Sequence, residues 1–248
     1  LPPQVFSDFT TKSRIILKIE KGRSQDIKIA RDVFARPQTV IVISGKTNTE
    51  IIEQLNLNAP KIIDALQKEE INEIQRRINL SLLDVKPIED KLGINLKVSS
   101  AYRIAVEEDG FFWVRKETRK GSMDLLFYEV PLSHIRKGDS AVIDVVRMRD
   151  SIGKVHIEGV LEDTYMITEE AYTPFTFDAI IDGKKAYETR GKWEVKNDFM
   201  AGPFLNYTVI DKKNNRLIIF EGFTYAPSVS KRAFVFELEA IAKSMKIN

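Results

Sequence analysis

The chain alternates between short β-branched runs and longer stretches whose apolar residues recur every three or four positions. Residues 14–20 (RIILKIE) and 39–44 (TVIVIS) are the first strand-like runs, and the β-branching of the second predicts a buried strand. Residues 26–35 fit strand or helix equally. Pro37 disfavours helical geometry at Arg36 and stops any helix there. Thr47-Asn48-Thr49-Glu50 has the spacing of a capping box, so a helix begins near Thr47. Pro60 suits the first turn of a longer helix. Ile63, Leu66, Ile71, Ile74 and Ile78 give that helix an apolar stripe, and Lys68, Glu69, Glu73, Arg76 and Arg77 read as its wet face.

Further along, Asp84 and Pro87 open a short helix that Leu92-Gly93 closes, with glycine past its end. Residues 94–98 read as extended. Three strands, 102–107, 111–117 and 123–130, are joined by glycine-containing hairpin turns. Phe111 and Phe112 make both faces of the second strand apolar at its start, as in a strand central to its sheet. Gly138-Asp139-Ser140 reads as the cap of a helix that ends at Gly153. The connection 155–165 stays unassigned. Strands follow at 172–181, 185–194, 204–211 and 216–225, the last two joined by a turn at 212–215. In the final helix, 230–245, Phe234, Leu238, Ile241 and Met245 form one buried face.

This mixed order predicts an α+β fold with a mostly antiparallel sheet, or sheets, and helices packed on one face. No low-complexity linker divides the chain, so a single α+β domain over 1–248 is expected. A weak echo between Arg31-Asp32-Val33-Phe34 and Arg190-Gly191-Lys192-Trp193 raises two similar halves, 1–98 and 99–248, against chance similarity.

Composition narrows the function classes. The 38 basic and 36 acidic residues leave a formal charge of +2, which argues against a nucleic-acid partner. Without cysteine there is no disulfide, thiolate metal site or cysteine nucleophile. His134 and His156 are the two histidines, too few for a His-rich metal site, and neither stands beside a catalytic motif. No apolar run reaches the roughly 18–20 residues of a membrane helix. The Leu1-Pro2-Pro3 opening carries no targeting signal.

Serine-nucleophile, phosphate-loop and dinucleotide glycine patterns are missing, as is a calcium-loop ligand ladder. Glu107-Glu108 and Glu169-Glu170 are sequence neighbours that point apart on a strand. Residues 188–204 are the best site candidate. Glu188, Arg190 and Lys192 would share a strand face, and Trp193 beside Arg190 suits a binding platform. The competing reading makes Trp193 and Phe199 core anchors, with Met200-Ala201-Gly202-Pro203 turning into the next strand.

Several stretches carry a family resemblance: Ala30-Arg31-Asp32-Val33-Phe34-Ala35-Arg36-Pro37-Gln38, Phe111-Phe112-Trp113-Val114-Arg115, Arg149-Asp150-Ser151 and Thr164-Tyr165-Met166-Ile167-Thr168-Glu169. Arg190-Gly191-Lys192-Trp193-Glu194, Met200-Ala201-Gly202-Pro203-Phe204, Tyr225-Ala226-Pro227 with Lys231-Arg232, and Leu238-Glu239-Ala240-Ile241 complete the set. In order and spacing the chain resembles the uncharacterised Bacteroidetes envelope lipoproteins known as domain of unknown function 4837. It departs from them at Phe34, often tryptophan, and at Ala201, often glycine. The resemblance implies a cell-envelope location, with membrane attachment only through a lipid anchor upstream of Leu1. It also implies an upstream strand that would cover a sheet edge. It assigns no activity and no cofactor.

The expected function is therefore a non-catalytic envelope domain that binds a partner protein or a small-molecule ligand, with no metal and no cofactor. The alternative is a hydrolase or transferase built on Arg, Asp, Glu and Tyr alone. Candidate binding residues are Arg31, Asp32, Arg149, Asp150, Tyr165, Glu188, Arg190 and Trp193. A third possibility is a purely structural subunit with a large exposed apolar face.

Overall fold

β-Branched residues build a three-stranded sheet from β1 (Ile15–Lys21), β2 (Asp26–Arg31) and β3 (Thr39–Gly45), in the order β1-β3-β2. The computed structural model describes residues 6–136 and 141–248. β1 runs parallel to β3 and β2 antiparallel to it, which settles the ambiguous segment as a strand. The chain divides into two compact units, Leu1–Glu73 and Ile74–Asn248.

Helix α1 (Asn48–Ile78) begins in the first unit, where Ile51 and Ile62 pack on Ile41 and Ile43. Its start matches the expected cap: the Glu50 amide donates to the Thr47 hydroxyl at 3.2 Å. The Glu50 carboxylate reaches back to the Lys46 amide at 2.7 Å. Pro60 does not start a helix; it lies inside this one. Its φ suits a helix, and the cost is one backbone hydrogen bond and crowding of the preceding turn. The apolar stripe shifts accordingly. Ile62 is buried, whereas Ile63 is half exposed. Glu69 and Glu73, expected in water, are buried. Glu69 accepts the Thr39 hydroxyl at 3.0 Å, and Arg14 bridges toward Glu73 and Glu70. Paired in this way, a carboxylate can sit against a sheet.

The second unit is built on eight antiparallel strands. These are β5 (Arg103–Glu108), β6 (Phe111–Thr118), β7 (Gly121–Pro131), β8 (Met166–Thr168), β9 (Phe175–Ile181), β10 (Lys184–Val195), β11 (Ala201–Asp211) and β12 (Arg216–Tyr225). The order is β5-β6-β7-β12-β11-β10, after which β8 and β9 pair with the outer side of β10. A small pair, β4 (Ile94–Asn95) with β13 (Lys246–Ile247), completes the strands. The α+β reading with antiparallel pairing is what the structure shows.

Strand alternation splits the core in two. On one face Phe112, Phe127, Tyr207 and Phe220 pack with α2 (Lys86–Leu92) and α4 (Arg232–Ala242), through Ile88, Leu92, Leu238 and Ile241. On the other face Leu126, Phe204, Ile219 and Phe223 pack with α3 (Ala141–His156) through Met148. Helices thus cover both faces of the large sheet. As read from the sequence, α2 ends at Gly93 in the left-handed region, φ 60°. Helix α3, however, runs through Gly153 to His156. A Cβ at Gly153 would collide with the Met166 carbonyl oxygen, so glycine here permits close packing of helix on strand and does not end the helix. The expected Gly138–Ser140 cap and the Leu1-Pro2-Pro3 opening lie outside the described residues. Among the described residues, no helix is long and apolar enough to cross a membrane.

Candidate functional site

Twelve-residue β10 carries three of the expected site residues and distributes them by parity. Glu188 and Arg190 point to the α4 face. Arg190 bridges Glu188 at 2.6 Å and Glu239 of α4 at 2.7 Å. The Tyr207 hydroxyl donates to Glu188 at 2.7 Å, and Lys243 holds the other Glu239 oxygen at 2.6 Å. Burial alone would lower the Arg190 pKa, but the hydrogen bonds to Glu239 and Glu188 outweigh it and hold it above its ordinary value. Burial would likewise raise Glu239, and Lys243 and Arg190 bring it below the usual carboxylate range. This network clamps α4 to the sheet.

Trp193 points to the opposite face and is 3% exposed. Its ring stands edge-on to Phe223 at 5.5 Å and lies near Tyr225 at 6.3 Å. Gly202 allows the close approach, since a Cβ there would meet the Thr224 carbonyl and the indole. Arg190 and Trp193 therefore do not form a platform: three residues apart on a strand, they lie on opposite faces. Phe199, by contrast, is fully exposed on its turn.

Arg149 and Asp150 meet at the α3 face. Arg149 is 1% exposed, lies over the Phe204 ring at 4.0 Å, and pairs with the equally buried Glu221 at 2.9 Å. One of its terminal nitrogens donates to the Thr168 hydroxyl at 2.8 Å. Asp150 accepts the Thr168 amide and hydroxyl, both at 2.7 Å, and so ties α3 to β8. Burial pushes Glu221 above the usual carboxylate range despite Arg149 and the Asn206 amide. It also pushes the Tyr128 hydroxyl up, with Glu221 adding to the shift.

Tyr165 borders a separate cleft of about 620 Å³ with Lys154, Thr164 and Lys196, and Lys196 donates to its hydroxyl at 3.2 Å. In the first unit, Arg31 ends β2, and Asp32 sits at φ 55° in a loop closed by Gln38. The Asp32 amide donates to the Gln38 carbonyl at 2.9 Å, and the Gln38 amide to the Asp32 carboxylate at 3.1 Å. Within the second unit, then, the candidates occupy three places: a partly exposed clamp on the α4 face, the core of the α3 face with its buried Arg149–Glu221 pair and Trp193, and an open cleft.

The feature that sequence reading missed is the edge of the large sheet. β9 (FTFDAII) pairs with β10 on one side, and among the described residues no backbone partner lies on its other side. Phe175 is 70% exposed, Phe177 53% and Ile180 71%. Tyr172, just before the strand, is also exposed. The opposite edge, β5, is built differently. It is bulged between Ile104 and Val106 and ends in Glu107-Glu108. Bulges and charges on an edge discourage pairing with another chain, and β9 carries no bulge and a single charge, Asp178. The available signal was two exposed-type phenylalanines two residues apart beside a hairpin turn, which reads equally as core.

Comparison with known proteins supplies two family models. One, described as domain of unknown function (DUF4837), matches residues 81–244, and another, domain of unknown function (DUF8532), matches residues 1–79. No curated protein matches the chain. Among solved structures, the chain is similar to the crystal structure of LpqN, involved in cell envelope biogenesis of Mycobacterium tuberculosis. The identity is 12% and the TM-score 0.34, over 62% of this chain and 82% of that one.

Proposed function

We propose that this chain, which belongs to the family described as domain of unknown function (DUF4837), is a non-catalytic envelope domain that binds a partner protein at the open edge of β9. The carrying observation is that edge: a seven-residue strand paired with β10 on one side, without a backbone partner on the other among the described residues, and bearing exposed Phe175, Phe177 and Ile180. An extended segment laid there satisfies the outward N–H and C=O groups, and alternate side chains supply specificity. The ion pairs, fully buried at Arg149 and partly exposed at Arg190, support a scaffold role for the polar candidates, because they hold α3 and α4 to the sheet. The envelope location and the upstream lipid anchor rest on the sequence resemblance described above.

Photocrosslinking in the producing cell tests this reading. A benzophenone amino acid at Phe177 or Ile180 should yield a discrete adduct with one partner. The same group at Arg103, on β5, should not. Equal adducts at both edges, or none at β9, would overturn the assignment. Fractionation of the natural full-length protein should place it with membranes; recovery in the cytosolic fraction would remove the envelope part of the reading.

A further inference from the structure

Across an added antiparallel strand, the residue directly opposite shares the same face of the sheet, with Cβ atoms about 4.5–5.5 Å apart. On β9, Phe175, Phe177 and Ala179 share one face, and Thr176, Asp178 and Ile180 the other. Asp178 is exposed, lies opposite Tyr187 of β10, and engages in no hydrogen bond or ion pair among the described residues. It is the single charge of the strand and stands at its middle.

We infer that the occupant of this edge is an extended segment of another protein with lysine or arginine opposite Asp178 and apolar residues on either side of it. The inference rests on β9 being the docking edge and names what docks there. The flanking residues fall on the other face, against Phe177 and Ala179, where apolar side chains cover exposed aromatic surface. The central residue meets an unpaired carboxylate, where a cation gains and a carboxylate is repelled. A second copy of the same strand fits less well. Centred antiparallel pairing of β9 with itself sets Asp178 against Asp178, and moving the register by one pair sets Asp178 against Thr176 or Ile180.

Two nine-residue probes decide between these. One is Thr-Val-Thr-Val-Lys-Val-Thr-Val-Thr, and the other replaces the central lysine by glutamate. Each is titrated into the full chain and into Asp178→Lys, with binding located by backbone NMR shifts. The lysine probe should perturb 175–181 and bind about fivefold more tightly than the glutamate probe. Asp178→Lys should reverse that order. Perturbation of β9 by both probes with no preference and no reversal overturns the cationic partner but leaves the docking edge standing. If neither probe perturbs β9, both fall. Concentration-dependent perturbation of β9 without any probe identifies a second copy as the occupant and also overturns the inference.

Discussion

Removing Arg149 should cost more than any exposed substitution in the chain, and the loss should depend on Glu221. Both side chains are 1% exposed and 2.9 Å apart. Taking away one member of such a pair leaves a buried charge without its counter-ion, which costs about 3–5 kcal/mol. Arg149→Met also gives up the Phe204 face and the Thr168 hydroxyl, so its loss belongs near the top of that range. Glu221→Gln leaves the guanidinium only Asp150, at 3.6 Å, as a counter-ion and belongs near the bottom. The double variant strands neither charge, so it should be less destabilised than the sum of the two by about 2 kcal/mol, a coupling typical of contacting residues. Urea denaturation followed by tryptophan fluorescence is suitable, because Trp113 and Trp193 both lie in Ile74–Asn248 and report that unit. The variants also differ in pH dependence. The Glu221 pKa is raised in the folded state, so the folded chain keeps a proton that the unfolded chain has released. Stability therefore falls as pH rises from the ordinary 4.5 through the folded value, and the fall should deepen in Arg149→Met. Additive single effects, or an Arg149→Met variant within about 0.5 kcal/mol of the natural chain, would refute the assignment of this pair as a structural clamp.

Gly153→Ala should destabilise by about 1–3 kcal/mol although alanine favours helices, because the new Cβ meets the Met166 carbonyl; thermal unfolding gives the sign. Asp144 is held down at about 2 by Arg136, which hydrogen-bonds it through side chain and backbone amide. The contribution of Asp144 is thus fully present above 3.8 and disappears as pH falls through about 2, so the stability gap between the natural chain and Asp144→Asn should close over that window. Phe175→Thr with Phe177→Thr should change stability by less than about 0.5 kcal/mol per site, as expected of exposed positions, while weakening the lysine probe's perturbation of residues 175–181.

Much of the fold was legible because local patterns and tertiary contacts agree. The helical stepping in α4 places Leu238 and Ile241 in the core, Met245 is buried just past the end of that helix, and glycine closes α2 in the left-handed region. The departures share one cause: partners distant in sequence. Glu69 looks solvated until Thr39 is beside it, and Gly153 looks like a helix end until the Met166 carbonyl is beside it. Arg149, on a helix among other charges, gives no sign of lying over Phe204. Trp193 and Arg190 were grouped by proximity along the chain, and the pleat parts them. The β9 edge was hidden for a related reason: exposure of Phe175 and Phe177 depends on what fails to cover them.

Amide hydrogen exchange of the isolated chain, resolved residue by residue along 175–181, tests the docking edge most directly. The open edge predicts alternation: amides bonded to β10 exchange slowly, and those pointing outward exchange close to the rate of an unstructured peptide. Uniform slow exchange along all seven residues would mean that the outer side of β9 is already occupied, and the edge would have nothing left to offer a partner.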